Sequence, residues 1–166
     1  MTTQDDRPYS PGLSGVLAGE TALSLVDGAN GRLLYRGYPI GELVREGSFA
    51  QVAHLLWADE WLSEAHLPCA PLDDRSRAGL RDQPRDAPPM DALRTSFTAW
   101  GAGERTVWPP TVEQARAITA MAPSALAGFG RLRQGLDPIV PDPDLDTTAG
   151  FLYQLDGEVP DEASAR

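Results

Sequence analysis

The feature that most constrains this fold is a helical repeat of apolar residues. Hydrophobic side chains recur at spacings of three and four in four separate segments after residue 47. Stretches rich in proline, glycine or charge separate these segments. The pattern predicts a mainly α chain in which each helix presents one apolar face to a shared core.

Local start and stop signals set the bounds of the first two predicted helices. The first begins after Ser48, because Gln51 three residues later completes a capping-box pattern. Its apolar face comprises Phe49, Val52, Leu55, Leu56 and Leu62. Gly101 is expected to end the second predicted helix. The apolar residues of that helix are Met90, Leu93, Phe97 and Trp100.

The third and fourth predicted helices lie in the second half of the chain. Thr111 is expected to cap the third, and Pro123 should kink or divide it. The apolar side of the third comprises Val112, Ala115, Ile118 and Ala122. The fourth should stop near Gly157, and it carries Phe151, Leu152 and Leu155. Between the first and second helices, residues 68–89 contain five prolines and many charges, which predicts a loop or a badly formed helix.

The N-terminal part has a different pattern, typical of a small β-hairpin. Residues 1–11 are predicted to form a flexible arm, and residues 12–26 read as short strands. Residues 27–31, Asp-Gly-Ala-Asn-Gly, predict a turn in which Gly28 and Gly31 adopt conformations that β-branched residues resist. A second strand carries Leu33 and Tyr35, and Pro39 suits the first turn of a short helix.

Composition excludes several classes of function. The net charge is −10 and all 14 basic residues are arginine, so a cationic surface for nucleic acid or anionic lipid is not expected. The densest arginine group alternates with aspartates over residues 73–86, which favours a solvated loop over a phosphate site. Cys69 is the one cysteine, so no disulfide framework or cysteine-rich metal site can form within the chain. No segment has the length of a membrane span or the pattern of a signal peptide, and a cytoplasmic location is expected.

Four ordered blocks between Gly12 and Arg166 carry a family resemblance. They read GLSGVLAGETALSLVDGANGRLLYRGYPIGELV, SFAQVAHLLW, PMDALRTSFTAWG and GFLYQLDGEVPDEAS. The first has the Gly-Leu-x-Gly-Val, Thr-x-x-Ser, Val-Asp-Gly and Tyr-Arg-Gly-Tyr-x-Ile series of the N-terminal region of citrate synthases. The others are similar to that family's Ser-Phe-Glu-Glu-Val, Pro-Met-Asp-x-Leu-Arg-Thr and Asn-Phe-Leu-Tyr-Met-Leu segments. The chain departs from this pattern at Gly150, where the family has asparagine, and at Gln154, where it has methionine.

The resemblance implies a fold and a domain extent. Residues 12–166 would form the first part of the large helical domain of a small bacterial citrate or 2-methylcitrate synthase. Members of that family are well over twice as long, and their catalytic histidines and aspartate lie beyond the corresponding point. Residues 159–163 also have the pattern of a helix start three residues before the last residue, Arg166. We therefore expect a domain truncated before the catalytic region.

The resemblance leaves two functional hypotheses open. In the first, the chain is one piece of an acyltransferase that condenses acetyl-CoA or propionyl-CoA with oxaloacetate, and a separate chain supplies the catalytic half. In the second, it is a non-catalytic interaction or regulatory subunit, or a truncated remnant, that pairs with an intact synthase. Both imply a homo-oligomer or a citrate-synthase-type partner chain. Neither assigns a catalytic, cofactor-binding or metal-binding residue to this chain.

The residues that could carry chemistry have structural interpretations. His54 is expected to be a core or surface histidine of the first helix, and His66 to lie near the end of that helix, where the negative end of the dipole suits it. Arg36 is expected to be a strand-end arginine with a structural role. Ser14, Ser24 and Ser48 lack a nucleophile-elbow pattern, and Ser48 is explained as a cap. The tryptophans are expected in the core or at an interface; they are Trp57, Trp61, Trp100 and Trp108.

Overall fold

A computed structural model describes residues 12, 15, 19–106 and 108–165. The chain divides into two compact units, Met1–Ile40 and Gly41–Arg166. Within the described residues the strands are β1 (Ser24–Asp27), β2 (Arg32–Tyr35) and β3 (Tyr38–Pro39). The helices are α1 (Ile40–Glu46), α2 (Phe49–Ala58), α3 (Asp74–Asp82), α4 (Pro89–Glu104), α5 (Val112–Arg133) and α6 (Thr147–Asp156). The prediction of a mainly α fold with a small N-terminal β-element is confirmed.

The first unit is built on the predicted turn between β1 and β2. The strands pair antiparallel, from Ser24 opposite Tyr35 to Asp27 opposite Arg32. Both carboxylate oxygens of Asp27 accept hydrogen bonds from Asn30, one from its backbone N–H at 3.2 Å and one from its side-chain amide at 2.8 Å. Gly31 has φ +62°, as predicted, but Gly28 does not have a positive φ and that part of the prediction is wrong. Of the short strands that the sequence predicted for residues 12–26, the structure describes β1. Residues 13–14 and 16–18 lie outside the described part of the chain.

The Tyr-Arg-Gly-Tyr block forms a second turn, so the element is a three-stranded sheet and not a single hairpin. Tyr35 pairs with Tyr38 across it. The two residues between them, Arg36 and Gly37, have φ values of +47° and +87°. Two successive positive φ angles characterise the type I′ turn, whose twist matches that of antiparallel strands. Arg36 is thus a turn residue, not the strand end that the sequence predicted.

Helix α2 begins where the capping box predicted. Ser48 Oγ accepts from the Gln51 N–H at 3.2 Å, and Gln51 Oε1 accepts from the Ser48 N–H at 2.8 Å. The helix ends earlier than expected, because Asp59 adopts a left-handed conformation and donates its N–H to the Leu55 carbonyl. Leu62 therefore lies outside the helix, and the prediction that it belonged to the helical face is wrong.

Residues 68–89 contain helix α3, where the sequence predicted a loop or a badly formed helix. Asp73 caps it by accepting the Ser76 N–H at 2.7 Å. Its buried residues are Ser76 and Leu80, and the Ser76 hydroxyl donates to the Ser96 carbonyl of α4 at 3.1 Å. The arginines and aspartates that obscured the pattern lie largely on the exposed side of α3. Helix α4 also runs past Gly101, the predicted end, to Glu104.

Helix α5 is the centre of the second unit. Thr111 caps it as predicted, and Pro123 lies inside it without dividing it. Proline has no N–H for the helical ladder, so it locally disturbs the bonding of the preceding turn. The Ala120 carbonyl in that turn accepts the Ala70 N–H at 2.8 Å, which attaches the segment before α3 to α5. Helices α3, α4 and α5 bury a common core of Leu72, Leu80, Ala92, Met121, Ala125, Phe129 and Leu132.

Helix α6 packs on α5 and stops at Gly157, as predicted. A β-carbon at Gly130 of α5 would lie 3.0 Å from Leu155 Cδ1, so glycine permits this close approach. Beyond α6, Asp161 accepts the Ser164 N–H at 2.8 Å and starts a turn over residues 162–165. Hydrogen bonds from Ser164, first from its side chain and then from its backbone N–H, lower the pKa of the Asp161 carboxyl. The predicted helix start at residues 159–163 is present as this capped turn.

Candidate functional site

The second unit carries an open apolar groove of about 550 Å³. It lies between the N-terminal ends of α2 and α6 and the middle of α5, with one contribution from α4. We call it the apolar groove. Its lining residues are Phe49, Phe97, Ile118, Thr119, Ala122, Pro123, Leu126, Thr147, Thr148 and Phe151. None of them is charged, and Phe49 is 58% exposed.

A smaller depression of about 110 Å³ adjoins the apolar groove at the N-terminal ends of α2 and α6. The cap residues Ser48 and Asp146 both line it. Asp146 accepts the Ala149 N–H at 2.8 Å, so a carboxylate already occupies a hydrogen-bonding position at the start of α6. That negative charge disfavours an anionic ligand in the depression.

His54 occupies a structural position on α2. Its Nδ1 lies 3.4 Å from Arg116 Nη2 of α5, and the Arg116 guanidinium lies 5.2 Å from the centre of the Trp57 ring. Because arginine only donates hydrogen bonds, Nδ1 is the accepting nitrogen in this contact. The other ring nitrogen, Nε2, is 3.7 Å from a carboxylate oxygen of Glu60, which is too long for a hydrogen bond. The histidine therefore links α2 to α5.

His66 lies in the loop after α2, eight residues beyond Ala58, so its predicted place near a helix end is wrong. Its Nε2 donates to the Pro143 carbonyl at 2.9 Å. This bond joins the loop to the segment that precedes α6. His54 and His66 contact different elements, and the structure does not combine them in one site. In the described part of the chain, no group of three or more metal-ligating side chains forms a metal site.

The other predicted candidates are distributed over the fold. Ser48 is a cap, as predicted, Ser24 lies in β1, and Ser14 lies outside the described residues. Arg36 donates its backbone N–H to the Leu23 carbonyl at 2.9 Å. Three of the tryptophans are partly buried, but Trp108 is 90% exposed and is therefore not a core residue.

Cys69 forms a buried contact that no local sequence pattern indicates. Its Sγ donates to the Thr147 carbonyl at 3.4 Å, and burial raises the pKa of the thiol. A β-carbon at Gly150 would lie 3.1 Å from this sulfur. Gln154, which is 2% exposed, donates its side-chain amide to the Gly150 carbonyl at 3.0 Å. Both departures from the family pattern therefore lie in one packed cluster around the cysteine.

Comparison with known families identifies the chain. The model of the family described as citrate synthase, C-terminal domain, matches residues 12–166. This chain belongs to the citrate synthase family.

Characterised members of the citrate synthase family align with nearly the whole chain. Citrate synthase from Haloferax volcanii is 37% identical, over 93% of this chain and 45% of the relative. 2-Methylcitrate synthase from Mycobacterium tuberculosis is also 37% identical, over 97% of this chain and 44% of the relative. The chain thus spans a little under half the length of the curated relatives that it matches.

Solved citrate synthases have the same fold over this region. The structure from Pyrobaculum aerophilum superimposes with a TM-score of 0.79 at 25% identity, covering 99% of this chain and 46% of that one. The structure from Thermotoga maritima gives a TM-score of 0.75 at 25% identity, covering 93% and 43%. Among the described helices of this chain, none is both long and apolar enough to cross a membrane.

The sequence patterns contain a signal for the apolar groove. Phe49, Ile118, Ala122 and Phe151 all belong to the predicted apolar helix faces. The faces of the first three predicted helices are expected to form the core and that of the fourth, with Phe151, to be partly uncovered; the structure leaves parts of all these faces open. Periodicity identifies an apolar stripe without showing which part of it another element covers.

Proposed function

We propose that this chain is the N-terminal part of the large helical domain of a citrate-synthase-type acyltransferase. The reaction is the condensation of acetyl-CoA or propionyl-CoA with oxaloacetate, which in the citrate-forming case belongs to the tricarboxylic acid cycle. The observation that carries the proposal is the match of residues 12–166 to the family model, by a chain that covers under half of each relative. The order of the four sequence blocks supports the N-terminal assignment.

In this proposal the chain organises a scaffold, and the remaining part of the family fold supplies the reacting groups. Residues 12–166 form the partial domain, and the arm predicted for residues 1–11 lies outside the residues that the structure describes. His54 and His66 stay structural, because each already bonds to another segment of the second unit. A general acid or base must reach the transferred proton within hydrogen-bond distance. We propose a cytoplasmic location and an oligomeric assembly that includes the catalytic half.

The first test measures the reaction with the chain alone. Purified chain is incubated with oxaloacetate and either acetyl-CoA or propionyl-CoA, and release of the CoA thiol is followed. We expect no turnover above background. Turnover that disappears in His54→Ala or His66→Ala would contradict the proposal, because it would place the chemistry within these residues.

The second test separates the acyltransferase piece from an interaction subunit. The chain is co-expressed with the part of the M. tuberculosis 2-methylcitrate synthase that does not align with this chain. Turnover restored by this combination supports the proposal. No turnover with that part, together with a change in the activity of an intact synthase when the chain is added, would favour the regulatory subunit instead.

A further inference from the structure

His54 of α2 lies between a positive and a negative side chain, and its two ring nitrogens face different partners. Nδ1 lies 3.4 Å from Arg116 Nη2 of α5, and Nε2 lies 3.7 Å from a carboxylate oxygen of Glu60. We propose that His54 is a pH-sensitive latch between α2 and α5. The neutral ring holds the Arg116 guanidinium over Trp57, and the protonated ring releases it and pairs with Glu60. This role goes beyond the proposed function, in which His54 takes no part in the chemistry.

The contact with Arg116 requires a neutral imidazole ring. Arginine has donors only, so Nδ1 must offer its lone pair, and the ring proton then lies on Nε2. The same guanidinium lies 5.2 Å from the centre of the Trp57 ring, within the range of a cation–π contact. The neutral histidine and the indole ring therefore hold Arg116 in one place.

Protonation of His54 reverses the character of this contact. A second proton turns Nδ1 from an acceptor into a donor and places two positive charges side by side. The His54 side chain is 16% exposed, so solvent screens their repulsion only in part. Histidine is the side chain whose ordinary range of titration lies between about pH 5 and 8. Acidification through this range is therefore the condition that breaks the contact.

Glu60 provides a partner for the protonated ring on its other side. Nε2 of His54 is buried and has no hydrogen-bond partner among the residues that the structure describes. The Glu60 side chain is 66% exposed in the loop after α2, so rotation about its bonds can shorten the 3.7 Å separation. Because the charge attraction arises only when the ring is protonated, Glu60 favours the state in which Arg116 is released.

Arg116 has a second acidic neighbour, Glu113, one turn earlier on α5. The pKa of the Glu113 carboxyl is lowered, first by hydrogen bonds with its own backbone N–H and with the Thr111 hydroxyl, and to a smaller extent by the Arg116 charge. Glu113 is exposed and gives the released guanidinium a partner near solvent. From the loop that packs against α2, His66 contacts the Pro143 carbonyl.

The latch changes side-chain contacts and leaves the packing of the two helices in place. Ala53 of α2 and Ala120 of α5 belong to one buried apolar cluster, whose contacts do not depend on pH. The far-ultraviolet circular dichroism should therefore be the same in both states. Acid removes the polar link through His54 and not the fold.

The test follows the two histidines and Trp57 of the full chain by NMR from about pH 7.5 to about pH 5. Imidazole ¹⁵N signals give the tautomer and charge of each ring, and the Trp57 indole signal responds to the guanidinium near it. His66→Gln and Trp57→Phe assign these signals. We expect His54 to carry its proton on Nε2 at neutral pH. The Trp57 signal should move in one step, with the same midpoint as the His54 ring.

Two matched substitutions at position 54 each imitate one ring nitrogen. His54→Asn places an amide oxygen near the position of Nδ1 and cannot be protonated, so the Trp57 signal should keep its neutral-pH position throughout. His54→Gln reaches the position of Nε2 and lacks the acceptor for Arg116, so this signal should lie near its acid position even at neutral pH. Glu60→Gln should move the midpoint of the wild-type step to lower pH, because it removes the partner of the protonated ring.

Several results would overturn the latch. A proton on Nδ1 at neutral pH would do so, since Nδ1 could not then accept from Arg116. A Trp57 signal that stays in place while His54 titrates, or that shows the same step in His54→Asn, would do so as well. An unchanged midpoint in Glu60→Gln would contradict the exchange of partners. Circular dichroism at each pH verifies folding, and loss of the wild-type fold before His54 titrates would also overturn the proposal.

Discussion

At the residue scale, the contact between Cys69 and Gly150 explains why a buried helical position carries glycine. Glycine in a helix interior costs about 1 kcal/mol relative to alanine. Here an alanine β-carbon would lie 3.1 Å from the Cys69 sulfur, closer than normal packing allows. Its next neighbours, Cys69 Cβ at 3.6 Å and Leu145 Cβ at 3.8 Å, are at ordinary contact distances. The sulfur alone therefore decides whether alanine is accepted.

This geometry predicts a strong coupling between the two positions. In the native chain, Gly150→Ala should lower the free energy of unfolding by about 1 kcal/mol, because overpacking outweighs the gain in helix propensity. In the Cys69→Ala background the same substitution should be neutral or stabilising. The measurement is a double-mutant cycle by urea unfolding. Equal effects of Gly150→Ala in both backgrounds would show that the sulfur is not the limiting contact.

The turn between β1 and β2 makes a second prediction at this scale. Gly31 has φ +62°, and no atom lies within 4 Å of the point that a β-carbon would occupy, so a side chain there meets backbone strain alone. Gly31→Val should lower stability by about 1 kcal/mol or more, because a β-branched residue resists positive φ. Gly28→Ala is the control and should change stability by less than about 0.5 kcal/mol. The measurement is the midpoint of thermal unfolding of both variants. An unchanged midpoint for Gly31→Val would contradict the assigned turn.

At the element scale, the two capping boxes look alike in sequence but differ in environment. Gln51 is buried, and besides capping α2 it donates its amide to the Leu62 and Ser63 carbonyls, each at 2.9 Å. At the start of α5 the cap residue Thr111 is exposed, and the side-chain oxygen Oε1 of Gln114 accepts the Thr111 N–H at 3.0 Å. Glutamate satisfies a capping box as well as glutamine does. It cannot replace the two amide hydrogen bonds of Gln51.

The expected result is a difference between two identical substitutions. Gln51→Glu should lower the free energy of unfolding by about 2 kcal/mol at neutral pH, since it buries a carboxylate against two carbonyl oxygens. The loss should shrink at acidic pH, where a protonated carboxyl again provides a donor. Gln114→Glu should change stability by less than about 0.5 kcal/mol. Denaturant unfolding at the two pH values tests both, and equal costs would mean that Gln51 acts only as a cap.

At the scale of the second unit, Arg131 connects three consecutive segments. Its Nε donates to the Asp137 carbonyl at 2.7 Å, and its Nη1 donates to the Leu155 carbonyl of α6 at 3.2 Å. Helix α5, the linker after it and α6 thus share one guanidinium. Lysine keeps the charge but lacks the fixed fork of donors.

Arg131→Lys should therefore lower the free energy of unfolding by about 1–2 kcal/mol. The control is Arg133→Lys, because Arg133 is exposed and its guanidinium lies 6.0 Å from the centre of the Phe129 ring. That substitution should cost less than about 0.5 kcal/mol. Hydrogen exchange of the α6 amides provides a second readout, with faster exchange expected in Arg131→Lys. Unchanged exchange and stability would contradict the connecting role.

The sequence by itself determined the features that depend on neighbours three or four residues apart. The caps Ser48 and Thr111, the end of α6 at Gly157 and the turn at residues 27–31 were predictable for this reason. The apolar residues of the groove were also predictable as helical stripes. The sequence patterns that predict these features extend over no more than one or two helical turns.

Tertiary structure decided the features that join distant parts of the chain. Helix α3 exists because Ser76 and Leu80 are buried against α4, a gain that its charged sequence does not reveal. Gly150 is explained by Cys69, 81 positions away in the sequence. The open groove likewise depends on which stripes the other helices cover. Packing free energy comes from contacts between segments, and such contacts are not encoded in the spacing of any one segment.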